Sequence, residues 1–160
     1  MNATTNPTTI TAQPGTPFLE MVREFDATPA QVWHASVDPD LVVRWLGPGR
    51  NAMRLETWDV RRGGSYHYVH ITPDEVEQHF YGVYHQVIEN ELTIQTWEWG
   101  GAPNQVCIGT AVYEDLGGRT RLTTRSVFPS IEAREMSLAN GMEWGMRESM
   151  DRLDALVTSA

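Results

Sequence analysis

The sequence predicts an α+β fold in which a curved antiparallel sheet is covered by a long C-terminal helix. Three observations predict it. Residues 52–128 alternate with period two between short links rich in Gly and Asn, as a meander of hairpins does. Residues 131–157 run without proline and repeat apolar side chains at three- and four-residue steps. The length of 160 residues suits one domain, large enough to bury a core without disulfides.

The elements follow in order. Residues 1–17 are rich in Thr, Asn, Ala and Pro, with Ile10 their only large aliphatic residue after Met1. They are expected to form a flexible or loosely docked tail ahead of a domain spanning 18–160. Phe18 to Phe25 alternates as a strand. Thr28 then caps a helix opened by Pro29, where a missing amide hydrogen costs nothing. That helix turns Val32, Trp33 and Ser36 inward. Asp38-Pro39 ends it, and a second short helical face carries Leu41, Val42, Trp45 and Leu46 before Gly47-Pro48-Gly49.

Six strands are expected next: Ala52 to Val60, Ser65 to Ile71, Phe80 to Ile88, Leu92 to Trp99, Val106 to Glu114, and Arg119 to Phe128. Short links make them an antiparallel meander whose edge the first strand can join. Met142, Met146, Ser149, Met150, Leu153, Leu156 and Val157 form the apolar stripe of the closing helix. Read as one rod, Ser137 to Val157 spans about 30 Å, enough to cross the sheet. Gly141 and Gly145 mark either a kink or a close approach of another backbone or a ligand.

Composition excludes several functions. Twelve basic against twenty-one acidic residues give a net charge of -9, and no basic tract is present to neutralise duplex phosphates. Cys107 is the only cysteine, so no intrachain disulfide and no Cys-Cys zinc spacing exists. No segment approaches about 18 uninterrupted apolar residues, and residues 1–16 lack the pattern of a secretory signal; a cytoplasmic protein is expected. Gly63-Gly64, Gly100-Gly101 and Gly117-Gly118 sit in turns and none opens a phosphate loop. His67, His70, His79 and His85, with Asp74, Glu75 and Glu77, show no recognised ligand spacing. Neither a metal nor another cofactor is expected.

Particular strings, in the same order of elements, resemble a known superfamily. They are Arg23-Glu24-Phe25-Asp26-Ala27, Val32-Trp33, Asp38-Pro39, Arg44-Trp45, Gly47-Pro48, Asp59-Val60-Arg61 with Gly63-Gly64, and Thr96-Trp97-Glu98-Trp99. Tyr113-Glu114-Asp115, Gly118-Arg119-Thr120-Arg121-Leu122, and Gly141-Met142 leading to Asp151-Arg152-Leu153 complete the set. From about Phe18 to Leu156 the chain resembles the START-like superfamily. Within it, the resemblance is to the activator of heat-shock-protein-90 ATPase C-terminal-like family of SRPBCC domains. The resemblance implies a helix-grip fold with a cavity between sheet and long helix. Across the superfamily that cavity serves lipid or small apolar ligands and polyketide cyclisation, and some members bind as cochaperones.

Period-two parity assigns an inner face. Tyr66, Tyr68 and His70 are placed inward by turn geometry and the family pattern, and Phe80, Gly82 and Tyr84 follow. Leu92, Ile94, Thr96 and Glu98 form the next inner row; a slip of one residue would instead bring in Trp97 and Trp99 and expose Glu98. Cys107, Gly109, Ala111 and Tyr113 face Leu122, Thr124 and their neighbours. Met142, Gly145, Met146 and Ser149 look down from the helix. Small side chains beneath a helix leave room for a guest.

Three functions fit these residues. The first is binding of a small apolar or aromatic ligand. The second is a cyclase, hydrolase or isomerase in which His70 moves a proton, Glu98 orients it, and Tyr68, Tyr84 and Tyr113 donate to an oxygen of the substrate. The third is a protein-interaction module, chaperone-associated action included. Trp144, off the helix stripe, and the outer sheet face make a homodimer a further expectation. Cys107, flanked by Val106 and Ile108, reads as a buried, inert thiol.

Overall fold

A computed structural model describes residues 6–159. Of the expected tail, residues 1–5 lie outside the described residues.

The elements run β1 (Thr9–Thr11), β2 (Phe18–Phe25), α1 (Pro29–Val37), α2 (Pro39–Val42), β3 (Ala52–Trp58), β4 (Ser65–Ile71), β5 (Glu77–Ile88), β6 (Leu92–Trp99), β7 (Cys107–Asp115), β8 (Thr120–Val127), α3 (Ile131–Ala139) and α4 (Met142–Thr158). The strands form one antiparallel sheet in the order β1-β2-β8-β7-β6-β5-β4-β3. The meander from β3 to β8, and the pairing of β2 with β8 at the end of that meander, match the expected topology. An extra residue in β5 between Tyr84 and Gln86, and another in β3 between Leu55 and Thr57, bend the sheet around its inner face. Among the described residues no helix is long and apolar enough to cross a membrane.

Local chemistry explains the first third of the chain. On β2 alternate residues Leu19, Met21, Arg23 and Phe25 are buried. The Thr28 hydroxyl accepts from the Gln31 amide at 3.2 Å while the Gln31 side chain accepts from the Thr28 amide at 2.8 Å, a reciprocal cap ahead of Pro29. Asp38 ends α1 and caps α2, accepting from the Asp40 amide at 2.8 Å. Trp45 Nε1 donates to the Ala35 carbonyl at 2.9 Å, and Trp58 Nε1 to the Val37 carbonyl at 2.8 Å. These bonds fix the two short helices against the sheet, with Val32 and Trp33 in the main core.

Two expectations need correction. Residues 9–11, assigned to a loose tail, are β1 and pair with Glu20–Val22. β1 pairs with the side of β2 that β8 leaves uncovered, and Ile10 packs on the core, so one apolar residue suffices to seat the strand. The expected single helix is two. Asn140 ends α3, and Gly141 adopts φ 87, a left-handed conformation that breaks the helical path. Gly145 makes no kink and lies inside α4; a Cβ there would sit 4.0 Å from Pro48.

The C-terminal half of α4 packs flush, burying Ser149, Met150, Leu153 and Val157. Full burial of a leucine such as Leu153 contributes roughly 1.5–3 kcal/mol. Arginines complete the attachment. Arg23 Nη1 lies 2.9 Å from Asp151 and Nη2 3.5 Å from Asp154. Arg152 donates to the Gly47 carbonyl at 2.8 Å and the Arg44 carbonyl at 2.7 Å. Arg134 on α3 donates to the Gln13 carbonyl at 2.7 Å and the Phe18 carbonyl at 3.1 Å.

Because Gly141 has positive φ with open space around its α-carbon, Gly141→Val should strain the backbone without a clash. Its expected cost is about 1–2 kcal/mol in urea denaturation, and Gly141→Asn should cost less.

Candidate functional site

Between the sheet and the N-terminal half of α4 lies a cavity of about 270 Å³. Its walls include Trp58, Tyr66, Tyr68, Tyr84 and Trp97 from β3 to β6. Cys107, Gly109, Ala111 and Thr124 supply a floor of small residues, and Met142 and Met146 the roof. The floor is level because the register sets Gly109 opposite Gln95 and Ser126, and Ala111 opposite Thr93 and Thr124. Gly109, Ala111, Thr124 and Ser126 raise no large side chain, so α4, held at its other end, spans a gap.

The residues of the expected site divide accordingly. Tyr66, Tyr68, Tyr84, Cys107, Gly109, Ala111, Thr124, Met142 and Met146 line the cavity. Tyr113 and Leu122 belong instead to the main core, where the Tyr113 ring meets Trp33 edge-on at 5.2 Å. The Ser149 hydroxyl accepts from the Gly47 amide at 2.8 Å and anchors the loop after α2. Gly145 faces Pro48.

On β6 the expected parity is wrong by one residue. Thr93, Gln95 and Trp97 point into the cavity. Thr96 and Glu98 point the other way: the Thr96 hydroxyl accepts from the Val83 amide at 2.9 Å, and Glu98 accepts from the Asn104 amide at 2.8 Å in the following turn. The reason is the pairing of Tyr84 with Gln95 and of Tyr81 with Glu98 across β5, which sets Gln95 on the face of Tyr84. Apolar Leu92 and Ile94 suggested the opposite face, and the bulge that decides the register leaves no mark in β6 itself. Trp99 shares the parity of Trp97 but reaches past the sheet end, where its Nε1 donates to Gln78 at 2.8 Å.

His70 and Glu98 therefore do not converge. His70 shares a face with Tyr66 and Tyr68, yet its ring is wedged under Gly47, where an added Cβ would lie 2.2 Å from Cε1. Tyr68 and Phe80 meet it edge-on at 5.3 and 5.5 Å. Burial lowers its pKa to about 4, the Ala52 backbone opposing and the Arg152 charge reinforcing the change. The ring is thus neutral near pH 7, and its Nδ1 is buried without a hydrogen-bond partner. Burial raises the Cys107 thiol to about 11 and Tyr68 to about 12, and it also raises Tyr66 and Tyr84. All four keep their protons at neutral pH, so none of them puts a charge in the cavity.

On the outer face, His67 Nε2 lies 2.9 Å from His79 Nδ1, and His79 Nε2 lies 3.2 Å from Glu77. Among the described residues no group of three or more His, Cys, Asp or Glu is arranged to hold a metal ion. Trp144 is 50% exposed, with the Arg50 guanidinium 4.9 Å from its ring.

A curved antiparallel sheet closed by a C-terminal helix over an apolar cavity defines the helix-grip, START-like class. The family model described as activator of Hsp90 ATPase homolog 1-like protein matches residues 26–158, and the chain belongs to that family. The solution structure of a protein from Arthrobacter aurescens is similar at 28% identity and a TM-score of 0.87, over 95% of this chain and 92% of that one. A crystal structure from Mycobacterium smegmatis aligns at 23% identity and a TM-score of 0.87, over 96% and 99% of the two chains. One from Rhodobacter sphaeroides aligns at 24% identity and a TM-score of 0.86, over 96% and 99%. No curated relative matches.

His70 supplies a pH test. Its folded pKa of about 4 lies below the ordinary 6.5. The stability due to burying the neutral ring is therefore complete above pH 6.5 and lost as pH falls through 4. His70→Asn should flatten the fall in urea midpoint between those two values, measured as the difference from wild type at each pH.

Proposed function

We propose that the protein binds a small apolar or aromatic molecule in the cavity between the sheet and α4. The lining of that 270 Å³ space carries the reading: aromatic rings on one side, small residues beneath, and two methionines above. Moving an apolar guest out of water gains about 25 cal/mol per Å² of surface buried. Flexible methionines adjust to the shape of the guest at little cost. The separation of His70 from Glu98 onto opposite faces supports binding rather than acid-base catalysis, since one substrate cannot meet both.

N-phenyl-1-naphthylamine, a neutral probe that brightens on leaving water, provides the test. Saturable binding to the wild type is expected. Ala111→Phe projects a ring from the floor and should weaken the probe at least tenfold while leaving the thermal midpoint unchanged or higher. Equal affinity in the two proteins would place the probe elsewhere and remove the reading.

A further inference from the structure

The cavity tyrosines differ in what their hydroxyls already do. Tyr66 is committed, donating to the Thr96 carbonyl at 2.5 Å. Tyr68 accepts from Trp97 Nε1 at 3.4 Å, which leaves its own proton unspent. Tyr84 lines the cavity in the same aromatic cluster as Tyr66 and Tyr68, and burial keeps its hydroxyl protonated. Tyr68 and Tyr84 thus bring two phenolic donors to the aromatic side of the space, while Thr93, Gln95 and Thr124 line it from β6 and β8.

No positive charge accompanies them. The chain has no lysine, its twelve basic residues all being arginine. Arg125 contributes to the lining, but its guanidinium sits 4.0 Å from the Phe18 ring, and the residue is exposed on the far face of β8. An anionic guest would lose its hydration and gain no counter-charge. The aromatic wall adds a shape. Tyr66 and Tyr68 stack at 5.9 Å and 16°, Tyr68 and Phe80 at 5.2 Å and 20°, Phe80 and Trp97 at 5.5 Å and 27°. Of this nearly parallel run, Tyr66, Tyr68 and Trp97 line the cavity, with Phe80 packed between Tyr68 and Trp97, and the floor carries no side chain at Gly109 and only a methyl group at Ala111.

We infer that the guest is a neutral, flat aromatic carbonyl compound whose oxygen accepts hydrogen bonds from Tyr84 and Tyr68. The inference rests on the proposal that this cavity binds a ligand, and it names the chemical class.

Competition against bound N-phenyl-1-naphthylamine separates the two. The competitors are 2-acetonaphthone, its deoxygenated counterpart 2-ethylnaphthalene, the anion 2-naphthoate, and the flexible aliphatic ketone 2-dodecanone. The aromatic ketone should compete at least fivefold better than the hydrocarbon and at least tenfold better than the anion and the aliphatic ketone. In Tyr84→Phe the ketone and the hydrocarbon should fall within a factor of two of each other. A probe that fails to bind the wild type sinks the cavity proposal itself. A probe that binds, with 2-naphthoate or 2-dodecanone competing as well as 2-acetonaphthone, overturns only the assignment of class. An undiminished preference for the ketone in Tyr84→Phe overturns the hydrogen-bond assignment, and if that variant does not fold, the wild-type ranking decides.

Discussion

The guanidinium of Arg23, buried on β2 and 2.9 Å from Asp151 with Asp154 at 3.5 Å, ties α4 to the sheet, and the cavity depends on where that tie falls. Taking an arginine out of water costs several kcal/mol, and hydrogen-bonded carboxylates offset much of it. Arg23 Nε and Nη2 nonetheless lack hydrogen bonds, so a well-packed apolar pair could be as stable. What the ion pair adds is position. It holds the C-terminal half of the helix at one rotation and one height, with Arg152 and Ser149 fastening the loop after α2 to the same half.

That arrangement divides α4 by function. The half from Ser149 to Val157 packs flush against core side chains. The half carrying Met142 and Met146 lies over Gly109, Ala111 and Thr124, which are too small to meet it. Gly141 sits at the open end, and α3 beyond it is held separately through Arg134. A gap persists there because the helix is secured elsewhere, and collapse would require breaking bonds to charged groups.

The chemistry within the gap follows from the same burial. Removal from water keeps tyrosine and cysteine protonated and drives His70 to its neutral form. The result is a largely apolar space in which Tyr66, Tyr68, Tyr84 and Cys107 are neutral.

Much of the fold was legible in the chain because it rests on local signals. Thr28 and Pro29 announce α1, Asp38-Pro39 separates it from α2, and the alternation from Ala52 to Phe128 sets out a meander. The inward parity of β4, β7 and β8 was likewise legible, since each strand begins from a turn that fixes it, but Tyr113 and Leu122 lie in the main core and His70 under Gly47 rather than at the gap. β6 was not, because its parity depends on a bulge in its neighbour. β1 was missed for a related reason: three residues with one isoleucine carry no pattern, and the edge of β2 gives them their conformation. The sequence alone determined the order of elements, the positions of small and aromatic residues, and the lack of lysine, since these depend on neighbours along the chain. Tertiary structure decided that Trp97 rather than Glu98 faces inward, that His70 lies beneath Gly47, and that the last helix breaks at Gly141. Each of those outcomes depends on residues far apart in sequence, whose contacts no local period encodes.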